Sequence, residues 1–233
     1  MTLDDLKEEV FKANLLLDTA GLVKLTWGNV SGLDRSRGLM VIKPSGVAYE
    51  ELTPDIMVVV SLADGAAIEG SLRPSSDTPS HLELYRAFDG IAGICHSHSV
   101  HATMFAQAGR ELPCMGTTHA DHFHGSVPVC RALTPAEAAA DYEGHTGRAI
   151  VELFRAQNLD PSAMPAVLQA YHAPFTWGKT PLEAVRNNMA LEICAQMALG
   201  TWFLNPTALP LPDHLLQKHH LRKHGPQAYY GQK

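Results

Sequence analysis

Three threonine–proline pairs, Thr78-Pro79, Thr134-Pro135 and Thr180-Pro181, do most to restrict how this chain can fold. Such a pair is a helix start. The hydroxyl caps free backbone N–H groups, and proline at the first helical position gives up a donor that the helix leaves unused anyway. Glu137 and Glu183, three residues after their threonines, complete capping boxes. Short β-rich runs alternate with these starts: Leu39 to Ile42, Met57 to Leu62, Ile91 to Cys95 and Ala166 to Tyr171. A further helix is announced by Leu3, Leu6, Val10, Ala13 and Leu17 at helical spacing, with Gly21 closing it. Strands interleaved with helices predict an α/β sandwich around a central sheet. GLMVIKPSG and MVVVSLADG stand too close together for a crossover helix, which predicts some antiparallel pairing and leaves the rest of the sheet open.

A chain of 233 residues suits one large domain with a proper core. The net charge of −6 carries no electrostatic footprint for nucleic acid or an anionic membrane, so neither is expected as a partner. An anionic substrate would have to be met by local groups. Cys95, Cys114, Cys130 and Cys194 form no CxxC pair and read as reduced thiols. No apolar run reaches membrane-spanning length, and the acidic, amphipathic start MTLDDLKEEVFK is the opposite of a signal peptide. A cytoplasmic enzyme is the expectation. The unusual count is histidine, thirteen in all.

His96-Ser97-His98 follows the apolar run that ends at Cys95. On an extended chain alternate side chains share a face, so both imidazoles point one way and Ser97 the other. His172 ends a second strand-like run, and Asp77 follows the Ser75-Ser76 turn at a helix start. Three histidines and a carboxylate suit zinc. Either histidine pair or single histidine taken alone is equally at home in a core or on a surface, and the pattern gains meaning from its neighbours.

Those neighbours are three segments suited to anions or hydroxyls: Gly28-Asn29-Val30-Ser31, Lys43-Pro44-Ser45-Gly46 and Pro74-Ser75-Ser76-Asp77. Glycines and small hydroxyl residues let backbone N–H groups approach a phosphate, and a lysine adds a point charge. Singly, such clusters are mostly plain turns. Three of them, one running into a candidate metal ligand, point to a phosphorylated polyol. Thr117 to Gly125 is histidine-rich and places Asp121 as a candidate acid/base. The basic C-terminal stretch, Lys218 to His224, leads to Tyr229-Tyr230 and is expected to pack on something.

TWGNVSGLD, VIKPSGV, PSSDTPSHLELY, HSHSVHAT, TTHADHFHG and LRKHGPQAYYGQ together resemble the bacterial L-ribulose-5-phosphate 4-epimerase family of the class II aldolase superfamily. The resemblance runs from about the first helix to the last residues. It implies a three-layer α/β/α sandwich, one domain over 1–233, whose tail, 212–233, completes an interface site in a homotetramer. It implies one zinc per subunit on Asp77, His96, His98 and His172. Substrate and phosphate contacts would fall on Gly28, Asn29, Lys43, Ser45, Gly46, Ser75 and Ser76. The acid/base pair would be Asp121 and Tyr230, the tyrosine coming from a neighbour, with Thr117, Glu143 and His219 in support. His122 and His124 stand where the family is expected to carry tyrosines, and Ala170 and Tyr171 where histidine and serine are common.

The implied reaction interconverts L-ribulose 5-phosphate and D-xylulose 5-phosphate, as used in arabinose and ascorbate catabolism. The C4 hydrogen of a 2-ketose is not acidic, and the sequence carries no GxGxxG fingerprint for a nicotinamide. The expected route is therefore retro-aldol cleavage of C3–C4, rotation of the glycolaldehyde phosphate and re-addition, with an acid/base for each orientation of the C4 oxygen. Two alternatives stand beside it. One is a zinc aldolase for a deoxysugar phosphate such as L-fuculose 1-phosphate, a branch that tends to carry glutamate at the position of Asp77. The other is a non-catalytic interaction module like the adducin head.

Overall fold

The computed structural model describes residues 2–230. Helix α1 (Leu3–Thr19) opens on a capping box between Thr2 and Asp5. It closes where Gly21, at φ +71°, sends its N–H to Asp18 while Leu22 returns to Leu17. That left-handed position is one an L side chain would strain. After α1 the chain runs through β1 (Asn29–Asp34), β2 (Leu39–Ile42), β3 (Val58–Ser61), β4 (Ala67–Glu69), α2 (Thr78–Ala87), β5 (Gly93–His96) and α3 (Val100–Gln107). Then come α4 (Thr117–Ala120), β6 (Val129–Cys130), α5 (Pro135–Ala140), α6 (Tyr142–Ala156), β7 (Ala166–Gln169), β8 (Pro174–Gly178), α7 (Pro181–Leu204) and α8 (Asp213–His224).

The eight strands form one sheet in the order β4-β3-β2-β1-β5-β8-β7-β6. Neighbours pair antiparallel except β6 and β7, which run parallel. The expected antiparallel pairing of β2 with β3 is present, in register from Leu39 opposite Ser61 to Ile42 opposite Val58. Side chains alternate between two buried faces. Met40, Ile42, Val58, Val60 and Ile94 join the core beneath α2, α3 and α6, whereas Val41, Val59 and Cys95 join the core beneath α1. A strand buried on both faces reads as a continuous apolar run, which is why β2, β3 and β5 were visible in the sequence.

Several expectations need correction. Asn29-Val30-Ser31 is not loop: it begins β1, bonded between β2 and β5. Its Asn and Ser are buried in the sheet, where cross-strand pairing overrides their turn preference. At α2 the N-cap residue is Asp77 rather than Thr78. The Thr78 hydroxyl donates to the Ser75 carbonyl at 2.7 Å, and the Asp77 carboxylate makes no cap because it is engaged with Asn29. Thr134 and Glu137 form their capping box, but the Glu183 carboxylate reaches past Thr180 to the N–H of Lys179 at 2.7 Å. The run ending at Tyr171 stops at Gln169, because Tyr171 sits at φ +61° in a tight turn. The basic C-terminal stretch is the helix α8, packed on α4. The last tail residues, Gly231, Gln232 and Lys233, lie outside the described residues.

Candidate active site

Strand β5 ends on His96, whose backbone lies between Asn29 of β1 and Phe175 of β8. The buried ring stacks on Phe175 with centroids 4.2 Å apart, and its Nδ1 lies 3.0 Å from the Pro174 carbonyl. A carbonyl can only accept, so Nδ1 carries the proton and Nε2 keeps a free lone pair. His98 faces the same way, as the alternation predicts. Ser97 points back into the protein and donates to Oδ1 of Asn188 on α7 at 2.8 Å. His172 comes from the turn between β7 and β8. Its N–H reaches the Gln169 carbonyl at 3.0 Å, and its Nδ1 lies 3.2 Å from the Tyr142 hydroxyl at the start of α6.

The three rings converge, with centroids 5.1, 4.9 and 5.0 Å apart. One nitrogen from each lies within 4.8 Å of the others, so a small inward shift of the rings would bring them to the roughly 3.3–3.6 Å that tetrahedral bonds of about 2.0–2.2 Å require. Burial pulls all three imidazoles below their ordinary pKa, His172 to about 4, so at neutral pH they are uncharged and offer lone pairs. Converging neutral imidazoles at a cavity wall fit a divalent ion that favours nitrogen ligands.

Asp77 is not part of this tight trio but lies beside it. Its Oδ2 accepts from the Asn29 amide at 2.6 Å. Burial raises its pKa, but the electrostatic influence of the neighbouring His96 and His81 rings and the Asn29 hydrogen bond outweigh that and hold it below the usual carboxylate range. Asn29 also donates to Ser75 Oγ at 3.0 Å, and its own Oδ1 is buried without a partner. One turn along α2, His81 is held by Ser31 at 2.7 Å, and burial drives its pKa to about 3. It is a neutral core histidine.

The two anion segments run side by side. Pro44 bridges Pro74, Ser45 donates to the Arg73 carbonyl at 2.9 Å, and Ser75 donates to the Lys43 carbonyl at 3.0 Å. Gly46 takes φ +71°, which turns the first segment across the cavity mouth. Lys43 is buried and donates to the Val47 carbonyl at 2.7 Å. Among the described residues no carboxylate lies within 4.0 Å of it. Burial lowers its pKa to about 8, so it remains largely cationic at neutral pH. A buried cation without a counter-ion among the described residues, next to the start of α2, has the chemistry that suits an anion. Gly28, at φ +77°, leaves no room for a side chain, since a Cβ there would stand 2.9 Å from the His96 carbonyl oxygen.

All of these groups line one cavity of about 540 Å³: Gly28, Asn29, Lys43, Ser45, Gly46, Ser75, Ser76, Asp77, His96, His98 and His172. Every metal and substrate residue expected from the sequence is therefore brought together, and Glu143 joins them. Thr26, Trp27 and Tyr142 also line it and were missed. Trp27 stands 6.1 Å from His98, ring to ring, and the only sequence signal for it is an aromatic flanked by the glycine of a candidate substrate segment.

Asp121 and Tyr230 are not among the lining residues. They meet elsewhere, at α8. Arg222 donates to both Asp121 oxygens, His219 Nδ1 lies 3.2 Å from Oδ1, and the Tyr230 ring lies 4.6 Å from the Arg222 guanidinium. Burial would raise the Asp121 pKa, but the Arg222 and His219 bonds outweigh it and keep the carboxyl ionised. The histidines around Asp121 are partly structural: buried His119 donates to the Gly125 carbonyl at 2.8 Å, and His124 stacks on His220 at 4.5 Å.

This fold, with a histidine cluster at the end of its sheet that could hold a metal ion, is that of the class II aldolases. Residues 8–199 match the class II aldolase and adducin N-terminal domain, and the chain belongs to that family. It is 50% identical over 228 residues to the L-ribulose-5-phosphate 4-epimerase UlaF of Salmonella paratyphi C, covering 98% of this chain and 99% of that one. The same figures hold for the protein of that name from Salmonella typhi. Among solved structures, an L-fuculose 1-phosphate aldolase superposes with a TM-score of 0.77 at 28% identity, over 92% of this chain and 94% of that one. YgbL of Klebsiella pneumoniae, titled a putative aldolase/epimerase/decarboxylase, superposes at 0.74 and 25% identity, over 94% and 100%. Among the described residues no helix is long and apolar enough to cross a membrane.

Proposed function

We propose that the chain is a cytoplasmic, zinc-dependent L-ribulose-5-phosphate 4-epimerase, acting as a single domain over residues 1–233. The observation that carries this reading is the cavity itself, where three neutral imidazoles and a buried lysine without a counter-ion among the described residues line one space of about 540 Å³. The half-identical relatives named for this reaction support it.

His96, His98 and His172, with Asp77 beside them, would hold a zinc ion, which would supply Lewis acidity toward negative charge on substrate oxygens. The chain's own residues do the rest. Lys43, Ser45, Gly46, Ser75 and Ser76 hold the phosphate, and Gly28 and Asn29 hold the sugar hydroxyls. A base takes the proton from the C4 hydroxyl, the C3–C4 electron pair moves toward the C2 carbonyl, and C4 becomes an aldehyde. The held phosphate lets that aldehyde turn its other face before C3 re-attacks, and an acid returns the proton to the C4 oxygen. Retaining both fragments is what makes this an epimerase and not an aldolase.

Asp121 and Tyr230 are the acid/base pair in this reading, with Thr117, Glu143 and His219 in support. Arg222 holds the two together away from their own chain's cavity, so both are read as donated to a neighbour's cavity in a homotetramer, the tail 212–233 carrying the tyrosine. Exposed Val100 and Met104 on α3 and Met189, Ile193 and Met197 on α7, helices that pack together, supply an apolar face for such assembly.

The test is incubation with L-ribulose 5-phosphate. D-xylulose 5-phosphate without free aldehyde supports the epimerase. Release of glycolaldehyde phosphate would instead support the aldolase reading that the structural neighbour's name favours. No turnover with no metal retained would leave a binding module.

A further inference from the structure

The three candidate ligands are not equally secured. His96 sits in a strand bonded on both sides, with its ring fixed by Phe175 and the Pro174 carbonyl. His98 is two residues away, and the intervening Ser97 is locked to Asn188. His172 has neither support. It follows Tyr171, which is 75% exposed and left-handed, on a turn. The one hydrogen-bond partner of its ring among the described residues is the Tyr142 hydroxyl, 3.2 Å from Nδ1.

We infer that Tyr142 is a positioning residue of this centre, holding the His172 imidazole in the tautomer and rotation that leave Nε2 for an ion. The inference rests on reading the histidine cluster as a metal site. A tyrosine hydroxyl both accepts and donates. When Nε2 serves as ligand, Nδ1 bears the ring proton and donates it to the tyrosine oxygen, the same arrangement that the Pro174 carbonyl imposes on His96. The tyrosine's own proton is then free for another acceptor in the cavity it lines.

Tyr142 is itself held in place. It is the first residue of α6, whose N-terminus is capped by Asp141 accepting from the Gly144 N–H at 3.2 Å. Asp141 is anchored in turn by Arg148 at 2.9 Å. The hydroxyl is thus delivered to His172 from a separate, rigid element. Tyr142 is 38% exposed, so its removal takes little from the core.

The test compares zinc affinity, by competition with a chromogenic chelator, for the full chain, Tyr142→Phe and Tyr171→Phe, alongside the thermal midpoints of the metal-free and zinc-loaded forms. Tyr142→Phe is expected to lose roughly 10–100-fold in zinc affinity, the usual cost of removing a hydrogen-bond partner from a metal-bound histidine. Its metal-free midpoint stays at the parental value, and Tyr171→Phe behaves as the parent. Zinc held by Tyr142→Phe as tightly as by the parent overturns the inference. So does a metal-free midpoint that falls as far as the loaded one, since that marks a role in folding alone. A parent chain that binds no zinc overturns the metal reading and this inference with it.

Discussion

Arg222 grips the Asp121 carboxylate with two bonds, Nε to Oδ1 at 3.0 Å and Nη2 to Oδ2 at 2.6 Å, across 101 residues of chain. A two-pronged pair of this kind is stronger and more directional than a lysine contact. With the side chain of Asp121 only 13% exposed, Arg222→Leu leaves its carboxylate with His219 as sole side-chain partner. Helix α8 is then expected to open more often. Amide exchange across residues 213–224 should speed up by roughly 10–100-fold, with the sheet unaffected, given about 1.5–3 kcal/mol for a hydrogen bond to a charge. Unchanged exchange would move the docking energy to the stack of His124, His220 and His224.

His96→Asn and His98→Asn are each expected to abolish tight metal retention while keeping the circular dichroism of the parent. The proposed centre has no spare imidazole, since the cluster contains only His96, His98 and His172 among the described residues. Elemental analysis after dialysis against a chelator is the measurement, and full occupancy in both variants would remove these residues from the ligand set.

Lys43 gives the cavity a pH limit. Burial lowers its pKa to about 8, so the free site is charged below that pH and neutral above it. A bound phosphate favours the charged form. Affinity for a phosphate-bearing ligand is therefore expected to hold up to pH 8, then fall by about tenfold per unit as the linked proton is lost. Lys43→Met should weaken binding below pH 8 and flatten this profile. Calorimetric titration of a substrate-like phosphate across pH 7–9.5 distinguishes the two, and a parental profile without the break would separate Lys43 from the anion.

What could be read in the sequence follows from how each residue meets its surroundings. Strand β2 was bounded as found because Leu39 to Ile42 is apolar on both faces. Strand β1 was hidden, since Gly28 to Ser31 has the composition of a turn and becomes strand only because β2 and β5 flank it. Strand β8, between Pro174 and Gly178, was missed because its ends carry the usual breakers. At the site, alternation shows that His96 and His98 share a face, but only the flanking Gly/Ser segments give that pair a meaning, and Lys43 is legible from its glycine–serine context. Tyr142 is not. Its relation to His172 spans 30 residues and depends on where α6 starts, which no local pattern encodes. The sequence marks Asp77 as a candidate ligand but places the N-cap on Thr78, because a capping preference cannot register the pull of Asn29 from another strand.

Donation of Asp121 and Tyr230 between chains can be tested by mixing. His96→Asn lacks a working metal site, whereas Tyr230→Phe is expected to be metal-replete and slowed by roughly 10²–10⁴, the usual worth of one acid/base. Hybrid oligomers formed by co-refolding contain some cavities with both functions and should regain activity. Asp121→Asn in place of Tyr230→Phe should complement in the same way, since Arg222 ties both residues to one unit. Hybrids no more active than either parent would return both residues to their own chain.

The two ends of the sheet bear on how copies of the chain can meet. On one flank β4 offers three exposed residues behind an irregular register at Val59 and Val60, and Glu69 is tied down by Lys7 of α1. On the other, β6 is two residues long. A foreign strand would find almost no ladder to extend on either side. Open-ended stacking of sheet upon sheet, the route to fibres, is therefore closed at both flanks. Any copies that associate are left to do so through helix faces, where a self-complementary contact closes on a two-fold axis and a head-to-tail one need not.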